Sequence, residues 1–532
     1  MLHPARPHPP SSPPGSGRRA ARFAALLGVL LAGAAPAVAE EHLSHSGGAI
    51  LGGSITYHLE GEAGRIFALL PSTTTGPTTL PGGHVLDIGL DLLDLLQVGV
   101  LDPGTGQAAV LFPLPAEPAF QGVVVYAQYV TIGPPTPPIE AVSNRVAAAL
   151  AMPGTTVYTV APVVTARQGH SATALSDETV LVAGGDEPDE SGNLTALDTL
   201  EIYDPNTQGF ALLPARLSHA RSTHTATLLA DGRVLLLGGY DVTETVRNTG
   251  DIFDPATGAV TPIASMAQAR TQHTATLLAN GRVLVVGGSE LFDLGDLLGS
   301  LAQSVKSAEV YDPAANAWSP APDLPISEDG IVGHAASLLG NGQVLVSGGV
   351  KVNVVIGIPI PAFTDQAWRY DPGTGGWVAT AAMGVKRTYH GQLTLDDGRA
   401  LVVGGADGDF VAVNFWTLAS SQRYDPAGNA WSGGPALNDP RAYPNLVRTA
   451  SELVVAGGLG TIDPFNGTGT PEQTIEAAPL SLSAWTAAGE MLLPREVARA
   501  VPTDGGERLV IVGTGDDGVP AVDRTAETWA SQ

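Results

Sequence analysis

Two polar residue types recur at fixed spacing in this chain and could do chemistry. Histidine stands 14 residues before the first glycine of a Gly-Gly pair at His170, His224, His273, His334 and His390. Histidines converging on an axis would suggest a metal, but a metal needs three or four donors ~2 Å from one point with an ordered outer layer of partners. Equivalent positions of a repeat face different neighbours, so a repeated structural hydrogen bond is the expected role, and no metal or other cofactor is expected. Three residues before that position stands an arginine in six units, Arg167, Arg221, Arg270, Arg387, Arg441 and Arg495, with Ile331 in the remaining one. A guanidinium repeated in this way either pairs with a nearby carboxylate or backbone carbonyls between units, or offers charge to a ligand. The recurring Asp-Pro carboxylates, such as Asp312 and Asp371, are explained by turn initiation. Acidic clusters at 186–190, 407–409 and 516–517 lack calcium-loop spacing and read as solvated loops. With no cysteine, disulfides, thiolate zinc sites and thiol nucleophiles are excluded. No catalytic residue is assigned.

The elements that must position these residues follow from an internal repeat. His224–Gly239 (HTATLLADGRVLLLGG) and His273–Gly288 (HTATLLANGRVLVVGG) are nearly identical. Apolar runs lead into Gly184-Gly185, Gly238-Gly239, Gly287-Gly288, Gly348-Gly349, Gly404-Gly405 and Gly457-Gly458, and Gly513-Thr514 is a degraded seventh copy. Each unit reads as an alternating strand, a tight turn and an apolar strand. Asp231-Gly232, Asn280-Gly281, Asn341-Gly342 and Asp397-Gly398 suit a two-residue hairpin turn with positive φ at both positions. A third strand ends in an aromatic plus Asp-Pro (Tyr203, Phe253, Tyr311, Tyr370 and Tyr424 precede it), and Trp318, Trp377, Trp431 and Trp485 open a fourth. A four-stranded sheet of about 50 residues cannot cover its own faces, whereas seven stacked around an axis can.

These residues resemble the kelch repeat, over about 154–532. The resemblance implies an all-β chain, a seven-bladed kelch-type β-propeller preceded by a small β-sandwich-like domain. The last unit, 495–532, lacks a fourth strand. Val157 lies 13 residues before His170, as Trp377 does before His390, so the stretch 155–164 is expected to complete the last blade and close the ring. In kelch adaptors basic residues near the start of the first strand line the channel mouth and bind acidic peptides. The resemblance therefore implies a ligand-binding ring of Arg167, Arg221, Arg270, Arg387, Arg441 and Arg495. Galactose-oxidase-like and glyoxal-oxidase-like enzymes share such rings, but their tyrosine–cysteine radical cofactor cannot assemble in a chain without cysteine. The reading is a noncatalytic propeller that binds a protein, peptide or glycan through its loop face and central mouth. A secreted enzyme using the channel and a structural envelope component are the alternatives.

The connections after each Gly-Gly pair emerge on one face and are unequal. Residues 290–307 are long and amphipathic, and 352–361 (VNVVIGIPIP) would be an exposed sticky patch unless docked on the amino-terminal domain or a partner. Residues 1–39 place Arg18, Arg19 and Arg22 before an apolar run and an Ala37-Val38-Ala39 end. That is the order of a secretory signal, so the expected location is secreted, periplasmic or cell-envelope, without stable membrane insertion after cleavage. Residues 40–150 form the expected sandwich, with 86–101 ambiguous between a short helix and a strand pair. A net charge of −26 argues against nucleic acid and anionic lipid as partners.

Overall fold

The computed structural model describes residues 41–46, 49–80, 83–132, 139–159, 161–188, 194–293, 296–356, 358–462, 469–495, 498–513 and 526–530. The expected leader at 1–39 and the acidic pair at 516–517 lie outside them. The chain divides into two compact units, one of residues up to 46, 55–112 and 123–148, the other of 47–54, 113–122 and 149–532.

The first unit is built from sheets. His42–Ser46, Ser54–Glu60 and Gln107–Pro113 form one, and Val146–Ala149, Val124–Ile132, Ile66–Ser72 and Gln97–Val100 form a second, with Ile139–Val142 paired to its long strand. Alternation along Ser54–Glu60 places Ile55, Tyr57 and Leu59 in the interior, the period of a half-buried strand. The ambiguous 86–101 stretch resolves into both readings: strands Val85–Ile88 and Gln97–Val100 flank a single helical turn at Leu93–Leu95.

The second unit contains seven four-stranded antiparallel sheets. We label them blades 1 to 7 and their strands A to D from the inside out. Strand A is Ser171–Ala174, Thr225–Leu228, Thr274–Leu277, Ala335–Leu338, Gly391–Thr394, Asn445–Arg448 and Arg499–Thr503 in order. Each strand A touches the next, and Arg499–Thr503 touches Ser171–Ala174, so the ring is closed. Strand D of blade 7 is Thr156–Tyr158, antiparallel to Glu527–Ala530 with Val157 opposite Thr528. Both ends of the ring therefore lie in one sheet, and no open edge remains between first and last blades.

The B strands explain the apolar runs. Along Val180–Ala183, Leu181 and Ala183 pack with Val234, Leu236 and Phe253 of blade 2, while Val180 and Val182 pack with Val501, Val510 and Val512 of blade 7. A strand buried on both faces has no polar side, hence VLLL and VLVV rather than alternation. The outer strands are pinned by indoles. Trp318, Trp377 and Trp431 donate to the carbonyls of Ala264, Pro322 and Ala381 in the preceding blade at 2.7–2.9 Å. Each also packs on its own blade's tyrosine, Tyr311, Tyr370 or Tyr424.

The A–B turns correct the expected geometry. Gly232 N–H closes the turn onto Leu229 O at 3.0 Å, and only the glycine of the Asp-Gly pair is left-handed (φ 85°). The aspartate instead braces the turn through its side chain. Asp231 Oδ1 accepts from Arg233 N at 3.2 Å, and Asp397 and Asn280 do the same in their own turns. The Asp-Pro carboxylates likewise accept from the backbone two residues on, as Asp371 does from Gly373 N at 2.8 Å.

The Gly-Gly pair is required by space as well as by φ. At Gly238 (φ 62°) an added Cβ would lie 2.3 Å from Arg270 O and 2.7 Å from His273 Cε1, both in the next blade. Gly258 (φ 67°) has nothing within 4 Å of such a Cβ. Gly238→Ala should therefore cost about 3 kcal/mol or more, whereas Gly258→Ala should cost only the ~1–2 kcal/mol of a left-handed alanine. Urea denaturation of the two variants checks this, and equal costs would remove the steric explanation.

Candidate functional site

The six repeat arginines stand just ahead of strand A, and none of them faces a ligand. All are 0–1% exposed. In five blades Nη2 meets a carboxylate on strand C: Arg167–Glu201, Arg221–Asp251, Arg270–Glu309, Arg441–Glu476 and Arg495–Glu527, at 2.5–2.9 Å. Nη1 donates to the carbonyl of the first glycine of its own blade's pair, as Arg270 does to Gly287 O at 2.9 Å. The carboxylates are satisfied in turn by backbone: Glu309 accepts from Ala267 and Gln268 N, and Glu201 from Val164 and Thr165 N. The expected anion-reading ring at these positions is thus replaced by buried ion pairs inside five of the blades. The physical reason is the length of the side chain, which turns back under its own strand C instead of reaching the axis.

The two irregular blades confirm what the position demands. In blade 4 the arginine is Ile331 and the strand-C partner is Trp368, both buried in one apolar cluster. In blade 5 the partner is Gln422, whose Oε1 accepts from Arg387 Nη2 at 3.1 Å while its Nε2 donates to Met383 O. Burial pulls the Arg387 guanidinium down to about 10, with Asp407 opposing the shift.

The histidines stitch neighbouring blades. His224, His273 and His334 share Nε2 hydrogen bonds with Ser171, Thr225 and Thr274 of the preceding strand A at 2.9–3.2 Å, and His390 shares one with Ser347, on strand B of blade 4, at 3.0 Å. Burial pulls all five well down, His224 to about 3 and His334 to about 4. They are neutral structural groups at physiological pH.

Sequence reasoning missed the inner rim on the same face. Two residues after the arginine position the backbone is left-handed in blades 1 to 6: Gly169, Thr223, Gln272, Gly333, Tyr389 and Tyr443, with φ of 50–65°. Tyr389 N donates to Gly333 O and Tyr443 N to Tyr389 O, both at 2.8 Å. The Tyr389 and Tyr443 rings stack at 4.3 Å, and the Tyr389 hydroxyl lies 3.4 Å from Gln272 Oε1, a residue two blades away. The rim is therefore partly capped by aromatic rings. A tyrosine in two adjacent units at one offset was the available signal.

The connections after the Gly-Gly pairs were expected to differ, and they do. In blade 4 Val350–Val355 and Ile358–Phe363 form a hairpin that pairs with Gly330–Val332. In blade 5 Ala406–Asp409 pairs with Asn414–Thr417. Phe363 stacks on Phe410 at 4.9 Å and joins the two hairpins. Their roots are buried with Leu301, Val332 and Val352, but their tips are not: Ile356 is 96% and Val411 95% exposed.

Comparisons with known proteins agree with this geometry. The Kelch motif family model matches residues 270–325, blade 3 with its flanks. Kelch-like protein 35 of Mus musculus is 29% identical over 157 residues, 29% of this chain and 23% of that protein. Kelch-like protein terF of Aspergillus terreus is 26% identical over 305 residues, 55% of this chain and 61% of that protein. The matches thus span less than two thirds of these relatives' length. A solved fungal alcohol oxidase of the AA5 family in complex with copper shares the fold at TM-score 0.51 and 18% identity, covering 71% of this chain and 75% of that one.

Seven stacked four-stranded blades with a Gly-Gly turn in six of them define a β-propeller of the kelch type. This chain is a kelch-repeat propeller protein. The copper site of the oxidase does not carry over. No cysteine is available for a tyrosine–cysteine cofactor, the channel histidines are committed to blade contacts or buried among them, and the described residues hold no group of three or more His, Asp or Glu placed to share a metal.

Two expectations follow. Arg270→Leu strands Glu309 in the interior and should cost about 3–5 kcal/mol, whereas replacing the pair with the blade 4 residues, Arg270→Ile with Glu309→Trp, should recover most of that loss. Equal instability of single and double variants would show that charge, not filled volume, is needed. The histidines have folded-state values below the unfolded ~6.5, so their stabilising contribution is complete above about pH 6.5 and is lost as pH falls toward 4 and 3. Urea midpoints should decline steadily from pH 7 to 4, and His224→Asn should flatten the slope.

Proposed function

We propose that this protein is an exported, noncatalytic kelch propeller that binds a protein partner through the face carrying the blade 4 and blade 5 hairpins. The observation that carries the reading is the pair of apolar tips. Ile356, Ile358, Ile360, Val411 and Val413 are 53–96% exposed on two hairpins locked together by three phenylalanines. A contiguous exposed apolar patch on rigid supports favours a contact surface over a solvated loop. Aliphatic side chains offer a glycan few hydrogen bonds, so an apolar protein or peptide surface is the better complement. The outer strand of the first hairpin carries Pro359 and Pro361, which have no N–H to give an added strand, so the partner is held by side-chain burial rather than by strand addition. Kelch-like relatives support the interaction role, and the repeat arginines, buried inside the blades, play no part in it.

Export rests on the order of residues 1–39. Amino-terminal sequencing of protein recovered from its native source should read from Glu40, and a chain still starting at Met1 would remove export from the proposal. For binding, the partner captured by crosslinking from the native medium or envelope is to be purified and its affinity measured against wild type and Ile356→Asp/Val411→Asp. The double variant should melt at the wild-type temperature and bind roughly tenfold or more weakly. Unchanged affinity would overturn the loop-face reading.

A further inference from the structure

The hairpin face has a charge as well as an apolar surface, and the two are built into the same turns. The blade 4 and blade 5 hairpins adjoin along Ile358–Phe363 and Ala406–Asp409. A carboxylate is fixed by backbone beside each exposed tip. Asp329 Oδ2 accepts from Val354 N at 2.8 Å, just before the first tip, and Asp409 Oδ1 accepts from Val411 N at 2.8 Å and Ala412 N at 3.1 Å inside the second. Both aspartates are exposed. The short helix Leu297–Ala302 of the blade 3 connection packs against both strands of the blade 4 hairpin and adds exposed Leu298 and Asp296.

The lysines nearby leave these carboxylates uncompensated. Lys306 and Lys351 both turn to Glu328, whose carbonyl accepts from Lys306 Nζ at 3.0 Å and whose carboxylate pairs with Lys351 Nζ at 2.6 Å. Exposed Lys386 lies close enough to Asp407 and Asp409 to favour their ionised forms, but it forms no ion pair with either. Bonds from Ala412 and Val411 N–H hold the Asp409 carboxyl below its ordinary value, so it is charged at physiological pH. Among the described residues, Lys386 is one unpaired cation set against Asp329, Asp407 and Asp409.

An apolar patch edged by carboxylates complements a chain segment that carries apolar residues with lysine or arginine beside them. We propose that the partner of the hairpin face is a basic amphipathic segment of a protein, with its apolar side chains against Ile356 and Val411 and its cations beside Asp329 and Asp409. This inference rests on the hairpin-face reading and adds the partner's charge to it. The sign is opposite to that of the acidic peptides implied by the resemblance, and the burial of the repeat arginines removes the cations such peptides would need. Exposed ion pairs are individually weak, so the apolar tips supply most of the affinity while the aspartates set orientation and encounter rate.

A net charge of −26 attracts cations to the whole chain, so the test must separate local from global charge. The probe is a synthetic amphipathic peptide of about 18 residues, five helical turns, with a leucine face and a lysine face. Its affinity for the full chain is measured by calorimetry at physiological salt, beside the same peptide with glutamate for lysine. The lysine peptide should bind and the glutamate peptide should not. Asp329→Asn/Asp409→Asn keeps an acceptor oxygen for each backbone N–H, should melt at the wild-type temperature, and should bind the lysine peptide about fivefold more weakly. Ile356→Ser/Val411→Ser removes apolar surface without adding charge and should weaken binding roughly tenfold or more. Glu117→Gln/Asp177→Asn removes two exposed carboxylates away from the hairpins and should bind as wild type does. An equal loss in that control, wild-type affinity in Asp329→Asn/Asp409→Asn, comparable binding of the glutamate peptide, or no binding of the lysine peptide would each overturn the basic partner. Wild-type affinity in the serine variant would overturn the hairpin-face reading with it, whereas a loss in the serine variant alone would leave that reading standing and remove only the partner's charge.

Discussion

The propeller depends on one buried ion pair repeated around the ring. Four of the arginines, Arg221, Arg270, Arg387 and Arg441, link three pieces of chain at once. The guanidinium binds strand C and the first glycine carbonyl of its own blade, and the main-chain carbonyl accepts the N–H of the second glycine of the preceding blade, as Arg221 O does from Gly185 N at 2.9 Å. Burying both charges is costly, and the attraction repays that cost only where the remaining donors and acceptors are also bonded. Most of them are: two backbone N–H groups close Glu309 and two carbonyls take the Nη1 donor of Arg270, while Nε of Arg221, Arg270 and Arg387 and Oδ1 of Asp251 stay buried without a hydrogen-bond partner. Blade 4 shows that the position asks for filled volume, since Ile331 and Trp368 occupy it without any charge and Gly288 N still bonds Ile331 O at 3.0 Å. The inter-blade bond belongs to the backbone, and the side chains serve to hold that backbone in place.

This constraint also separates what was legible in the sequence from what was not. Gly-Gly pairs, Asp-Pro turns and indoles are local signals, each imposed by a steric or hydrogen-bonding need within a few residues, so they could be read directly. The role of the arginines depended on a residue about 30 to 40 positions away. That partner had a signal of its own: Glu201, Asp251, Glu309, Gln422 and Glu527 each stand two residues before an aromatic of strand C, and Trp368 stands there in the one unit with isoleucine for arginine. The joint change of Ile331 and Trp368 was the clue that the arginine faces inward. The type of A–B turn was not legible because Asp-Gly serves two geometries, one with both residues left-handed and one with glycine alone, and the choice depends on the strand register. The left-handed backbone at Thr223, Gln272, Tyr389 and Tyr443 was not legible either, since none is a glycine.

Repetition and function pull against each other in such a ring. A position that every blade fills in the same way is explained by packing, and the histidines and arginines belong to this group. Departures from the repeat are not forced by packing, because neighbouring blades show that the regular residue would fit. The blade 4 and blade 5 hairpins are departures of this kind: blade 2 crosses from strand B to strand C in the twelve residues 238–249 without any such hairpin. Their phenylalanine contacts give the tips a rigid base, while nothing in the ring requires Ile356 or Val411 to be apolar. A ring held by the same buried ion pair in five of its blades can tolerate departures of this kind, and a contact surface built on them inherits a rigid frame from the rest.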